Sequence, residues 1–279
     1  MNLDVKKAFG DVLKLKYFWV YLFISTVFVT LSSIVQSAKI IPLNNVLSNI
    51  ISVLTYISMG YIFIMLNNLL NDRDLNDENE TFLQNLWNST KKGLKAFVGT
   101  LANTLIVFVF SSIVTISGVF IFIKATGNDI NENNMFSFPL LNVGFLLLVI
   151  VLSVLMIFVL KLLPVAYSKE FSLKEMFCWR KVFRSFFKKG SKKETIVLLS
   201  IYVLSMILLF LMLFAFMFLF NFLLVFTIKK FLVSHYAAVA FLINVSGVIT
   251  PFVTGMVHFF VQSVIFHLLA QIYKREVTD

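Results

Sequence analysis

FSLKEMFCWRKVFRSFFKKGSKKE, residues 171–194, is a basic and aromatic segment set between two long apolar runs. It carries eight cations (Lys174, Arg180, Lys181, Arg184, Lys188, Lys189, Lys192 and Lys193) against Glu175 and Glu194, so its local charge of +6 is more than half of the chain's formal +10. At about 100° per residue, Met176, Trp179, Val182, Phe183, Phe186 and Phe187 fall on one arc of a helix, and Lys174, Arg180, Lys181, Arg184 and Lys188 on the opposite one. Glu175 and Phe177 sit on the wrong sides of this division. One helix so divided suits an anionic membrane surface, with its rings in the apolar boundary and its cations among the headgroups. Lys174, Arg180, Lys181, Arg184, Lys188 and Lys189 are therefore the candidate lipid- or partner-binding residues.

The flanking sequence puts this segment in a membrane protein. The chain is 59% hydrophobic and 14% charged with mean hydropathy +0.91, against roughly 45–50% and about 25% in soluble domains. The pI near 9.6 comes from cations beside apolar runs, which points to lipid headgroups and topology rather than nucleic acid. The single cysteine, Cys178, excludes an internal disulfide and reads as a small apolar filler.

Six apolar runs are expected to span: 17–38, 46–70, 98–123, 140–165, 195–228 and 246–272. The first is too long for the apolar part of a signal peptide, and Gln36 occupies the −3 position of the only small-residue cleavage site, so it is read as a retained span. Ser58-Met59-Gly60 gives the second run a notch for close packing. The fifth, 34 residues long, exceeds the roughly 30 Å hydrocarbon core and must tilt, kink or project. The octet 236–243 is too short to span and reads as interfacial or re-entrant. Residues 71–80 (NDRDLNDENE) resemble a calcium loop in composition but lack its Asp frame and bidentate Glu, so they read as a solvated loop.

Two more segments resemble the opening one. Over residues 3–16, Val5, Ala8, Phe9 and Val12 oppose Lys6, Lys7, Asp11 and Lys14; over 82–97, Phe82, Leu83, Leu86, Trp87, Leu94 and Phe97 share a side. The expected fold is thus an all-α membrane protein of six transmembrane helices in three hairpins, each preceded by a cytoplasmic amphipathic interfacial helix. It forms a single polytopic domain with pseudo-repeats over about 1–70, 80–170 and 171–276. KKGLK (91–95) echoes KKGSK (188–192), and YSKE (167–170) echoes YKRE (273–276). Of the Lys and Arg outside the runs, 19 fall on one side and 4 on the other, which places both termini in the cytoplasm.

With Gly60-Tyr61 in the second run, an acidic loop after it, KKGLKAFVG at 91–99 and a long basic segment before the fifth run, the chain resembles the uncharacterised six-helix prokaryotic integral membrane families. Among these is the membrane domain attached to some glycerophosphodiester phosphodiesterases. The resemblance implies a multi-pass protein of a prokaryotic cytoplasmic membrane and supplies no catalytic residues.

Chemistry within the membrane needs acids, bases or metal ligands at depth, and no Asp or Glu lies in any of the six runs. Gly-x-Ser-x-Gly, His-Glu-x-x-His and Walker A motifs are also missing from the sequence. Lys161, near the end of the fourth run, reads as snorkelling to the surface. The sixth run carries two polar stripes, Thr254, His258 and Gln262, and Ser263, His267 and Gln271. His258 and His267 are nine residues apart, on opposite sides, and cannot share a metal. Each stripe either hydrogen-bonds to a neighbouring helix or lines a substrate or proton path. Gly247, Pro251 and Gly255 either break the start of that helix or are ordinary membrane-helix residues. Two functions are expected from different classes, neither needing a cofactor or metal. One is a non-enzymatic scaffold or accessory subunit that binds anionic phospholipid, a protein partner or its own copies. The other is a small transporter or permease for a lipid-like or apolar substrate, using Thr254, His258 and Gln262.

Overall fold

The computed structural model of the chain describes residues 3–37, 43–75, 80–126, 152, 155–188, 190–231 and 235–278. Most of the fourth apolar run, the loop before it and Lys189 lie outside these residues. Among the described residues the regular structure is entirely helical: α1 (Val5–Lys14), α2 (Phe18–Ser37), α3 (Leu43–Leu70), α4 (Phe82–Thr126), α5 (Leu163–Glu170), α6 (Leu173–Phe177), α7 (Trp179–Phe187), α8 (Lys192–Phe231) and α9 (His235–Thr278). A π-helical turn, Phe158–Leu162, leads into α5. Phe18–Val35, Asn49–Leu70, Phe82–Gly118 and Val248–Glu276 are long and apolar enough to cross a membrane. The fifth apolar run lies inside the 40-residue α8.

The centre of the molecule is α3 packed against α4 and α2, with α9 against α2 and α8. The short helices α1, α5, α6 and α7 gather at one end, around the start of α2, the end of α3, the first half of α4 and the end of α9. Burial on α4 is inside-out relative to a soluble helix. Asn85, Ser89, Ala96, Thr100, Asn103, Val107 and Ser111, spaced by three, four or seven, face the protein, while Leu83, Trp87, Val98, Leu101, Leu105, Phe108, Ile116 and Phe120 are exposed. Helices in lipid gain nothing by hiding leucine from hydrocarbon, so small and polar residues take the interface.

The Ser58–Gly60 notch works as its residue sizes suggest. A Cβ on Gly60 would fall on the Ser89 carbonyl and within 2.8 Å of the Gly93 nitrogen, and a Cβ on Gly93 would fall on the Tyr56 carbonyl. Helices α3 and α4 therefore cross backbone to backbone at two glycines. A smaller approach occurs where Gly255 of α9 meets α2, since a Cβ there would lie 3.1 Å from Thr26 Cα.

Several expectations are corrected. The separate elbow over 82–97 is the first part of one 45-residue helix, because Gly93 serves the crossing and does not end the helix. The helix expected through 171–187 is broken at Cys178, where φ is −84° and ψ is 52°. The break lets Met176 sit against Gly99 of α4, while Val182 and Phe186 turn into the core and Phe186 stacks on Tyr273 of α9 at 5.5 Å. Glu175, on the wrong side of the idealised wheel, reaches over the break to Lys181 at 2.9 Å. The octet 236–243 is not a separate piece: its backbone opens α9, which continues through Gly247, Pro251 and Gly255 without interruption. Lys161 does not snorkel. It is buried, with Nζ 4.4 Å from the ring centre of Tyr202 and 5.3 Å from that of Phe266.

Candidate functional site

The break at Cys178 gives α7 three distinct faces. Val182 and Phe186 are buried and pin the helix to the bundle. Ser191 and Thr195 reinforce this, since each hydroxyl donates to the Phe186 carbonyl, at 3.2 and 2.8 Å. Trp179, Phe183 and Phe187, one turn apart, form the second face. Arg180, Arg184 and Lys188, also one turn apart, form the third, directly beside the aromatic one.

The aromatic face looks into a groove of about 1050 Å³. Its opposite wall is the first half of α8 (Ile196, Leu199, Ser200, Val203, Leu204 and Ile207), and its third side is Leu155, Ile157, Phe158 and Leu162 around the π-helical turn. Arg180, Arg184 and Lys188 form its polar edge. The aromatic wall is fixed: Trp179 Nε1 donates to Asn103 Oδ1 at 2.5 Å, and Phe158 meets the rings of Trp179 and Phe183 at 5.8 and 6.0 Å. Phe183 stacks on Phe187 at 4.5 Å.

The cations at this site are not equivalent. Lys181 is held by the Glu175 carboxylate, which raises its pKa above the usual lysine value. Lys188 reaches Glu276 of α9 at 3.2 Å. Arg180 and Arg184 are exposed and pair with no carboxylate among the described residues. Lys174 is exposed on α6, outside the groove. The structure thus brings Arg180, Arg184 and Lys188 together, sets Lys174 and Lys181 apart from them, and leaves Lys189 outside the described residues.

The polar stripes of α9 have different surroundings. In the second, His267 Nε2 lies 3.0 Å from Asp11 Oδ2 of α1, and its Nδ1 lies 3.3 Å from Gln271 Nε2. Gln271 also exchanges hydrogen bonds with the Asp4 backbone, at 3.1 and 3.3 Å. Since the Gln271 amide donates to Nδ1, the Nε2 proton points at Asp11. This stripe clasps α1 to α9, the helix-to-helix role expected of it. In the first stripe, the Thr254 hydroxyl donates to its own helix at Thr250. Gln262 is buried, and His258, one turn before it, is half-buried. None of Thr254, His258 and Gln262 lines the groove.

Comparison with known proteins adds one finding. A family described as "Protein of unknown function (DUF4013)" matches residues 43–223, more than half of the chain. The chain belongs to that family. The matched region of this DUF4013 chain runs from α3 into α8, so it contains the Gly60–Gly93 crossing, α6, α7 and the groove. No curated protein and no solved structure matched the chain. Family membership accords with the resemblance to uncharacterised membrane families, and the apolar helices suggest a membrane protein.

Sequence reasoning missed Asn103 as the partner of Trp179, and Asn85 and Ser89, whose Oδ1 and Oγ lie 2.9 and 3.0 Å from Tyr21 Oη, the former accepting its proton. The signal was present as the spacing of small and polar residues along α4.

Proposed function

We propose that this protein is a non-enzymatic, multi-pass scaffold or accessory subunit of a prokaryotic cytoplasmic membrane, and that it holds anionic phospholipid headgroups along α7. Its chain crosses the bilayer six times, with α8 and the 140–165 run as the additional spans. Both termini and the short helices face the cytoplasm, in keeping with the excess of Lys and Arg there.

The observation that carries this reading is the pair Arg180 and Arg184. Two guanidinium groups without a carboxylate partner among the described residues sit on a helix pinned to the bundle, next to the exposed apolar surface of α8. Arginine's planar fork suits phosphate oxygens, and a cation near an anionic leaflet is worth about 1 kcal/mol. In mixed bilayers, spin-labelled phosphatidylglycerol should associate with the protein in preference to phosphatidylcholine. R180Q/R184Q should lose most of that preference, and equal association of both lipids with the unaltered protein would contradict the reading.

A second reading, a small permease for a lipid-like substrate, draws on the buried Lys161 and Gln262 and the half-buried His258. Intramembrane ionisable residues of this kind accompany transport paths. H258L/Q262L should abolish uptake if the path runs there, and unchanged uptake by a folded variant would remove this reading.

A further inference from the structure

We infer that the groove between α7, α8 and the π-helical turn holds one acyl chain of a single anionic phospholipid, whose phosphate rests on Arg180 and Arg184. This rests on the headgroup reading and deepens it, since a surface that attracts anionic lipids in general needs no groove.

Three features of the groove select this occupant. The first is depth. From Ile196 to Ile207 the α8 wall rises about 16 Å at about 1.5 Å per residue, half of the roughly 30 Å hydrocarbon core, so it matches the acyl layer of one leaflet. The second is the division of chemistry. The α8 wall is aliphatic apart from Ser200, the α7 wall is aromatic, and the cations are confined to the α7 edge, the order of groups along a phospholipid from chain to phosphate. The third is preorganisation. The Trp179–Asn103 bond and the ring contacts of Phe158 fix one wall, and the ion pair with Glu276 fixes Lys188 at the edge, leaving the two arginines to meet the ligand. The volume of about 1050 Å³ lies just above the range of about 300–1,000 Å³ for small-molecule sites.

The test is native mass spectrometry of the full chain, purified in detergent from bilayers holding equal phosphatidylglycerol and phosphatidylcholine. The unaltered protein should retain one phospholipid, mainly phosphatidylglycerol. S200W and L204W place a ring in the groove from positions already exposed, so they should fold and lose the retained lipid while the spin-label preference for phosphatidylglycerol persists. R180Q/R184Q should keep a lipid in the groove but reduce the preference for phosphatidylglycerol by about thirtyfold, as expected for two cations at an anionic headgroup. Absence of a retained lipid, or its undiminished retention by both tryptophan variants, overturns the inference. Loss of the spin-label preference in the unaltered protein would instead overturn the headgroup reading beneath it.

Discussion

The α3–α4 crossing and the α7–α8 groove lie at the same end of the molecule and solve the same problem in opposite ways. At the crossing, Gly60 and Gly93 let two backbones touch, and beside it Tyr21 of α2 hydrogen-bonds to Asn85 and Ser89 of α4. At the groove, Phe183, Phe187, Ile196, Leu199 and Val203 hold two helices apart around an open volume. In hydrocarbon, helices associate by close packing and hydrogen bonds, because burying leucine gains nothing over lipid. Small residues therefore close an interface, and large ones leave a space that suits lipid chains.

The largest effect should come from breaking the crossing. G60L or G93L drives a side chain into a facing carbonyl that belongs to a helix backbone and cannot swing away. The loss should be at least about 3 kcal/mol, at the upper end for overpacking, read as failure to fold or a collapse of thermal stability in detergent. N85L should follow at about 1–3 kcal/mol, because it leaves the Glu80 carboxylate short of a donor and Tyr21 with Ser89 alone. W179F should cost about 1 kcal/mol, since Asn103 Oδ1 loses its donor, and should also loosen the groove wall, seen as weaker lipid retention. G10A is the control away from both regions. A Cβ there meets nothing within 4 Å, so the variant should gain about 0.4–1 kcal/mol. A destabilised G10A, or a G60L as stable as the parent, would contradict the packing described.

Much of this contrast was legible in the residues. Apolar runs marked α2, α3 and the later part of α9, and the size of Gly60 marked the notch. The two arginines stood out by charge, but the groove did not. Three circumstances hid it. Hydrophobic periodicity marks an apolar face without saying whether it meets protein or lipid, and on α4 the small and polar residues, not Leu83 and Trp87, face the protein. A helical wheel assumes an unbroken helix, and the turn at Cys178 rotates Trp179–Phe187 away from the arc predicted with Met176. A groove also needs three segments distant in sequence, and no spacing within 171–194 announces Phe158 or Leu204. Lys161 failed for a related reason: its place near the end of a run suggested reach to water, whereas Tyr202 and Phe266, brought in by other helices, enclose it.

Trp179 offers the most direct measurement of the central claim, that a phospholipid with an anionic headgroup occupies the α7 edge. In a W19F/W87F background Trp179 is the only tryptophan and lines the groove. Its fluorescence can be quenched by lipids with brominated acyl chains, titrated into bilayers of unbrominated phosphatidylcholine. Brominated phosphatidylglycerol should quench at a far lower mole fraction than brominated phosphatidylcholine, and R180Q/R184Q should bring the two curves together. Identical curves for the two lipids in the parent protein would contradict the claim.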